Sequence, residues 1–146
     1  MKISRIHHYN VRCAESDLGA IEKFYGEVAG FRKGPRPGFR NNGIWLYLGD
    51  HPILHVTARC PPGFVQDDHR GSVDHIAFES QGAADFRARL DGLGIAYEQQ
   101  NVAGAGYQIF LKDPVGTTLE FNFANSEAPQ EISSGTFADR QQARVA

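Results

Sequence analysis

A helical stripe occurs twice in this chain. Leu18, Ile21, Tyr25 and Val28 are spaced three, four and three residues apart, and Ala83, Phe86, Leu90 and Leu93 repeat that spacing 65 positions later. Such spacing puts each quartet on one side of an α-helix. Gly30 and Gly94 follow the two stripes, and glycine is the residue that most readily ends a helix in a left-handed conformation. In a chain of 146 residues, a duplicated helix constrains the fold more than any single motif, because each copy must bury its stripe.

The surfaces that bury them are predicted from alternating segments on either side. Residues 3–13 (ISRIHHYNVRC) precede the first helix, and 43–48 (GIWLYL) and 52–58 (PILHVTA) follow it. Residues 72–80 (SVDHIAFES) precede the second, and 105–111 (AGYQIFL) and 117–123 (TTLEFNF) follow it. Each half therefore reads as a strand, a helix, and two or three strands, the first over about 3–58 and the second over about 72–124. Residues 59–71 (RCPPGFVQDDHRG) are expected to connect them as a loop, and 32–43 (RKGPRPGFRNNG) to form a second, basic loop. Residues 1–124 are expected to make one domain. The polar stretch 125–146 is expected to be a tail, either a short surface helix or disordered.

Successive strand residues face opposite ways, so His8 shares a face with Ile6 and Asn10, and His55 with Ile53 and Thr57. By the same rule His75 lies with Val73 and Ala77, and Glu120 with Thr118 and Asn122. The opposite faces are largely apolar and suit the helices; His7 falls on that side and is expected to be structural. His8 and His75 are 67 apart, and His55 and Glu120 are 65 apart, close to the helix offset. Equivalent positions in the two halves thus carry equivalent polar residues, which a pseudo-twofold arrangement can bring to one point. Three imidazoles and one carboxylate suit one divalent transition metal ion (Fe, Mn, Ni, Co or Zn). Calcium and magnesium prefer an all-oxygen shell.

Charge and composition exclude other classes. Fifteen basic and seventeen acidic residues leave a net charge of −2, so there is no basic field to gather nucleic acid and no reason to expect an anionic membrane. No apolar run approaches the length of a membrane span, and the first residues turn polar too soon for a secretory leader, so a cytoplasmic protein is expected. Cys13 and Cys60 belong to no closely spaced thiol motif and are read as free thiols. His51 and His69 are read as solvated loop residues. Gly104 and Gly106 are not a phosphate cradle, since no helix start or lysine follows, and no nucleophile elbow is present.

The segments IHHYNVRC (6–13), FYGEVAGF (24–31), VDHIAF (73–78) and DPVGTTLEF (113–121), in that order and spacing, resemble the vicinal oxygen chelate superfamily of glyoxalases, bleomycin resistance proteins and extradiol dioxygenases. The resemblance covers about residues 3–124. It implies an α+β fold of two βαβββ modules forming an incomplete barrel around a central metal and substrate cavity, often in a homodimer. His8, His75 and Glu120 match three of the superfamily's usual metal ligands. His55 stands where type I glyoxalases place a further carboxylate, so it is either a fourth ligand or a base beside the metal. Glu120 and His55 are the expected catalytic groups.

Candidates for substrate contact are Asn10 and Asn122, which share faces with ligands, and Trp45 and Tyr47, which share a strand face and suit an apolar pocket wall. Arg40, in the basic loop with Arg32, Lys33 and Arg36, is a candidate to hold a substrate carboxylate. The extradiol signature wants a tyrosine three residues before the aspartate of DPxG, where this chain has Phe110; Tyr107 is the nearest substitute. That signature also wants an earlier histidine, and positions 95–109 hold none. The expected activity is therefore metal-dependent isomerase or lyase chemistry on a small oxygen-chelating substrate, through an enolate or similar anion. Catechol-cleaving dioxygenation and non-catalytic binding of a drug or metabolite are the alternatives.

Overall fold

The computed structural model describes Met1, residues 5–65 and residues 73–132. His69 with the rest of residues 66–71 of the expected connecting loop, and the tail beyond residue 132, lie outside the described residues. The chain forms two compact units, residues 1–70 with 113–117, and residues 71–112 with 118–146.

In the first unit the elements are β1 (Tyr9–Cys13), α1 (Leu18–Ala29), β2 (Arg32–Gly34), β3 (Gly43–Leu48) and β4 (His51–Ala58). The sheet order is β1-β4-β3-β2, with β1 parallel to β4 and the other neighbours antiparallel. Ile21, Tyr25 and Val28 of the predicted stripe are buried, α1 lies against β2 and β3, and Leu46, Leu54 and Val56 of the sheet are buried. Gly30 ends α1 at φ 70° with its N–H bonded to the Tyr25 carbonyl, as its place after the stripe predicts.

The second unit repeats this plan with β5 (Ile76–Glu79), α2 (Ala83–Leu93), β6 (Tyr97–Val102), β7 (Gly106–Lys112) and β8 (Thr118–Phe123). Its order is β5-β8-β7-β6, with β5 parallel to β8. Phe86 of α2 packs its ring 4.5 Å from Phe121 and 5.9 Å from Phe123. The architecture is two βαβββ modules in an α+β fold. No helix among the described residues is long and apolar enough to cross a membrane.

Four local expectations are corrected. Residues 32–34 form the edge strand β2 rather than the start of a loop, because Arg32, Lys33 and Gly34 pair with Tyr47, Leu46 and Trp45. His51 opens β4 and its Nε2 bonds the backbone oxygen of His7, so it is partnered rather than merely solvated. His7 is exposed instead of packing under a helix, since β1 begins only at Tyr9 and the strand alternation does not reach it. Leu93 is 39% exposed: at about 100° per residue it sits roughly 80° round the helix from the fully buried Ala83. Past residue 124 the chain still contributes structure. A short 3-10 turn, Asn125–Glu127, brings Glu127 Oε2 to the N–H groups of Gly82 and Ala83, each at 2.8 Å, where it satisfies donors that the start of α2 leaves unpaired.

The turn Asp113–Thr117 belongs to the first unit, and a buried carboxylate organises it. Asp113 Oδ1 accepts the N–H groups of Val115 at 3.0 Å and Thr117 at 2.8 Å, and Oδ2 accepts the Tyr25 hydroxyl of α1 at 2.9 Å. Burial pushes the Asp113 carboxyl above its usual range, and these hydrogen bonds hold it down in part. Replacing Tyr25 with Phe leaves that buried oxygen without its donor, which costs about 1–3 kcal/mol. Urea unfolding of Tyr25→Phe is expected to show a loss of that size, and an unchanged midpoint would mean that water replaces the hydroxyl.

Candidate functional site

Each module brings a histidine from the lead-in to its first strand against a polar side chain on the parallel strand beside it. Tyr9 pairs with Leu54 and Ile76 with Leu119. His8 and His75 lie one residue before those pairs, and His55 and Glu120 one residue after. The two meetings occupy the same place in the duplicated plan.

In the second unit the meeting is between His75 and Glu120, whose Nε2 and Oε2 are 2.8 Å apart. Glu120 is only 4% exposed. Its Oε1 accepts the side-chain amides of Gln108 at 2.8 Å and Asn122 at 3.0 Å, and Gln108 in turn accepts from Gln100 at 2.7 Å. The carboxylate is thus clamped on one oxygen and presents the other to His75. The His75 ring stands edge-on to Phe110 at 5.8 Å, and its Nδ1 lies 2.8 Å from Asp74 Oδ2.

That last contact decides what the pair can hold. A carboxylate only accepts, so the proton of the His75–Asp74 bond resides on Nδ1. In the neutral ring Nε2 then offers a lone pair, directed at another acceptor, Glu120 Oε2. Two acceptors at 2.8 Å require something positive between them: a proton or a metal ion. A carboxylate behind a histidine is also the usual second partner of a metal-binding imidazole, fixing its tautomer and orientation. The separation is one that two ligands of a single ion span at bond lengths of about 2.1 Å. The pair supplies two ligand atoms suited to one divalent metal ion.

In the first unit the meeting is between His8 and His55, whose rings stack at 3.7 Å with planes 18° apart. His7 Nδ1 contacts His8 Nδ1 at 2.8 Å, which engages that nitrogen of His8 and not its Nε2. His55 lies in a row across the sheet, between Asn10 on β1 and Trp45 on β3. The Trp45 indole covers the other face of His55 at 3.9 Å, nearly parallel to it. His55 Nε2 is buried and has no hydrogen-bond partner, and an unpaired buried polar atom is costly unless a ligand uses it. Burial first, then the neighbouring His8 and His7, lowers its pKa from 6.5 to about 4. Among the described residues no group of three or more His, Cys, Asp or Glu side chains is arranged to hold a metal ion; the donors stand as one pair in each unit.

The other expected contacts fall into three places. Asn10 bonds Thr57 at 2.9 Å, and with Trp45 and His55 it lines a cleft of about 300 Å³ in the first unit. Asn122 is at the Glu120 carboxylate. Tyr47 and Arg40 do not line the cleft: the Tyr47 hydroxyl donates to the Pro35 carbonyl at 2.7 Å, and Arg40 is exposed. Tyr107 is fully buried, bonded to Arg87 of α2 and to Gln99, on the face of β7 opposite Gln108, and it does not stand in for a hydroxyl at Phe110.

Gln108, Asp74 and Arg36 were not singled out as site residues by the sequence. Gln108 had a readable signal, since it alternates with the buried Tyr107 and Ile109 on a strand beside TTLEFNF. Asp74 had one too, as the carboxylate next to a candidate ligand. Both cysteines are free, Cys13 buried and Cys60 half-buried, and burial pushes the Cys13 thiol up to about 11, far from a reactive thiolate.

No family model matches the chain, and no curated protein matches its sequence. Solved structures do share its fold. A glyoxylase/bleomycin resistance protein/dioxygenase domain from Frankia sp. EAN1pec superposes with a TM-score of 0.71 at 19% identity, covering 84% of this chain and 99% of that one. The fosfomycin resistance protein FosX from Listeria monocytogenes, in complex with Mn(II) and 1S,2S-dihydroxypropylphosphonic acid, gives 0.65 at 16% identity, over 97% and 99%. TnmS3, an antibiotic binding protein from Streptomyces sp. CB03234, gives 0.64 at 20% identity, over 85% and 98%. The chain shares the fold of these structures, which range from a fosfomycin resistance protein with Mn(II) to an antibiotic binding protein.

The His55 environment has a direct consequence for titration. Its folded pKa lies below the 6.5 of a free imidazole, so its contribution to stability is complete above pH 6.5 and is lost as pH falls through about 4. The ring-proton NMR signal of His55 in metal-free protein is expected to titrate near pH 4. A midpoint at or above 6.5 would mean that the ring is not shielded between His8 and Trp45.

Proposed function

We propose that this chain, with its vicinal oxygen chelate fold, is a divalent-metal-dependent enzyme of isomerase or lyase type. Its substrate is a small molecule with two neighbouring oxygens. The observation that carries the reading is the His75–Glu120 pair: two acceptors held at 2.8 Å, with the imidazole already proton-bound to Asp74. His75 and Glu120 are ligands in this reading, and His8 and His55 complete the set, with His55 either the fourth ligand or a base. The ion, which is Fe, Mn, Ni, Co or Zn, would polarise substrate oxygens as a Lewis acid.

The chain's own residues do the rest. Asp74 fixes the tautomer of His75. Gln108 and Asn122 hold one oxygen of Glu120, so the carboxylate turns only its other oxygen toward a ligand. His55 keeps an uncharged, unpaired Nε2, a group able to accept a proton from substrate. Trp45 and Asn10 flank it on the sheet. The FosX structure contains Mn(II) and 1S,2S-dihydroxypropylphosphonic acid, a vicinal diol, in the same fold, which supports this reading. Catechol cleavage has less support, because Phe110 lies opposite Glu120 with no hydroxyl and Tyr107 is committed to Arg87 and Gln99. TnmS3 supports a second reading, sequestration of a small molecule without chemistry. In the enzymatic reading the protein works in the cytoplasm as a homodimer, with neither nucleic acid nor membrane as partner.

Elemental analysis of gently purified protein is expected to find about one transition-metal ion per chain. His75→Ala and Glu120→Ala are each expected to lower that content at least tenfold, as loss of a ligand or its support does. Equal metal content in all three proteins would overturn the reading. A native protein free of metal that still binds small molecules would favour sequestration.

A further inference from the structure

The cleft of the first unit is lined by Arg12, Arg36 and Arg59 and by no acidic residue. Among the described residues no carboxylate pairs with any of the three. Arg12 lies on β1, opposite Thr57. The Arg59 backbone N–H bonds the Cys13 carbonyl at 3.0 Å, which brings Arg59 alongside the end of β1 and so beside Arg12. Arg36 is held by donating to the Asn41 carbonyl at 2.8 Å, with its guanidinium 4.9 Å over the Phe39 ring. Neighbouring guanidiniums without a counter-charge repel one another, and an anion relieves that repulsion.

The rest of the lining is neutral or aromatic. Asn10 and Thr57 are bonded to each other and add polar groups. Trp45 and Phe39 lie 6.1 Å apart, and Phe39 is 53% exposed, so both rings are open to a molecule in the cleft. His55, with its unpartnered Nε2, forms part of the same wall.

The geometry points to an oxyanion-recognition pocket: Arg12, Arg36 and Arg59 take a carboxylate or phosphonate group of the substrate, and Phe39 and Trp45 cover its apolar part. The substrate class is thus a small organic acid with an unsaturated or aromatic body. That this acid is the substrate rests on the proposed function; that the pocket binds oxyanions does not. Guanidiniums suit both oxyanions because their paired N–H groups match two oxygens at once.

Trp45 is the protein's one tryptophan, so its fluorescence reports on the cleft directly. The test uses metal-stripped protein in chelator-free buffer, titrated with phenylphosphonate, benzoate and neutral benzyl alcohol. The expected result is saturable quenching by one or both acids and not by the alcohol, weakened by salt. The two acids separate a phosphonate pocket from a carboxylate pocket. Arg12→Gln and Arg59→Gln are each expected to weaken binding about tenfold, the loss of one charge-assisted contact. His75→Ala is expected to bind the acids as the native chain does.

Quenching by benzyl alcohol at the same concentrations would overturn the proposal. So would full binding by both glutamine variants with native circular dichroism. Quenching that needs added metal and disappears in His75→Ala would place the oxyanion on the metal instead, and that result overturns the pocket while leaving the proposed function standing. Should a glutamine variant fail to fold, the salt dependence and the alcohol comparison on the unaltered chain decide the question.

Discussion

A carboxylate buried in the middle of a strand must be compensated, and the way Glu120 is compensated shapes the second unit. Gln108 and Asn122 donate to one oxygen; the other faces His75, whose second nitrogen is committed to Asp74. Every protein donor within this chain of contacts is therefore used before the His75–Glu120 gap is closed. What closes it has to bring its own positive charge. A proton makes the contact an imidazolium–carboxylate ion pair and a metal ion makes it a pair of ligands; with neither it is two lone-pair groups in contact, which costs about 1–3 kcal/mol, or more when charged.

The first unit solves the equivalent problem differently at the same point of the duplicated plan. There the strand residue is His55 rather than a carboxylate, and the partner is the stacked His8 ring. An imidazole can be buried uncharged, and the pKa of about 4 reflects that. The adjoining surface has then specialised. Arginines from β1, from the loop after β2 and from the end of β4 surround an aromatic wall, whereas Glu120 in the other module is set among amides. One module pairs a histidine with an acid and the other pairs two histidines, although both follow one sequence of strand, helix and three strands.

Much of this was legible in the sequence, because the governing periods are short. The stripe of Ile21, Tyr25 and Val28 and that of Ala83, Phe86 and Leu90 named both helices, and Gly30 and Gly94 named their ends. Strand alternation put His55 with Thr57 and Glu120 with Asn122, which the structure reproduces. The three-residue strand β2 escaped because pairing with β3, not its own composition, makes it extended. His7 was misjudged because alternation was carried past the true start of β1. Tyr107 and Arg40 were drawn toward the site by analogy and by loop composition. Alternation alone places Tyr107 on the Ile109 side of β7, and which arginine of a loop turns inward depends on contacts such as Arg36 with Asn41 that no local pattern encodes. Gln108 and Asp74 were overlooked although alternation on β7 and adjacency to His75 pointed to them, because the partners that give an amide or an exposed carboxylate its role lie on other residues.

X-ray absorption at the zinc K-edge of protein reconstituted with Zn(II) tests most directly whether a metal ion is what the His75–Glu120 pair holds. The account predicts a first shell of nitrogen and oxygen at about 2.0–2.2 Å, with the outer-shell scattering of imidazole, both diminished when Glu120 or His75 is removed. An oxygen-only shell without imidazole scattering, or an absorption spectrum of free aqueous zinc, would contradict it.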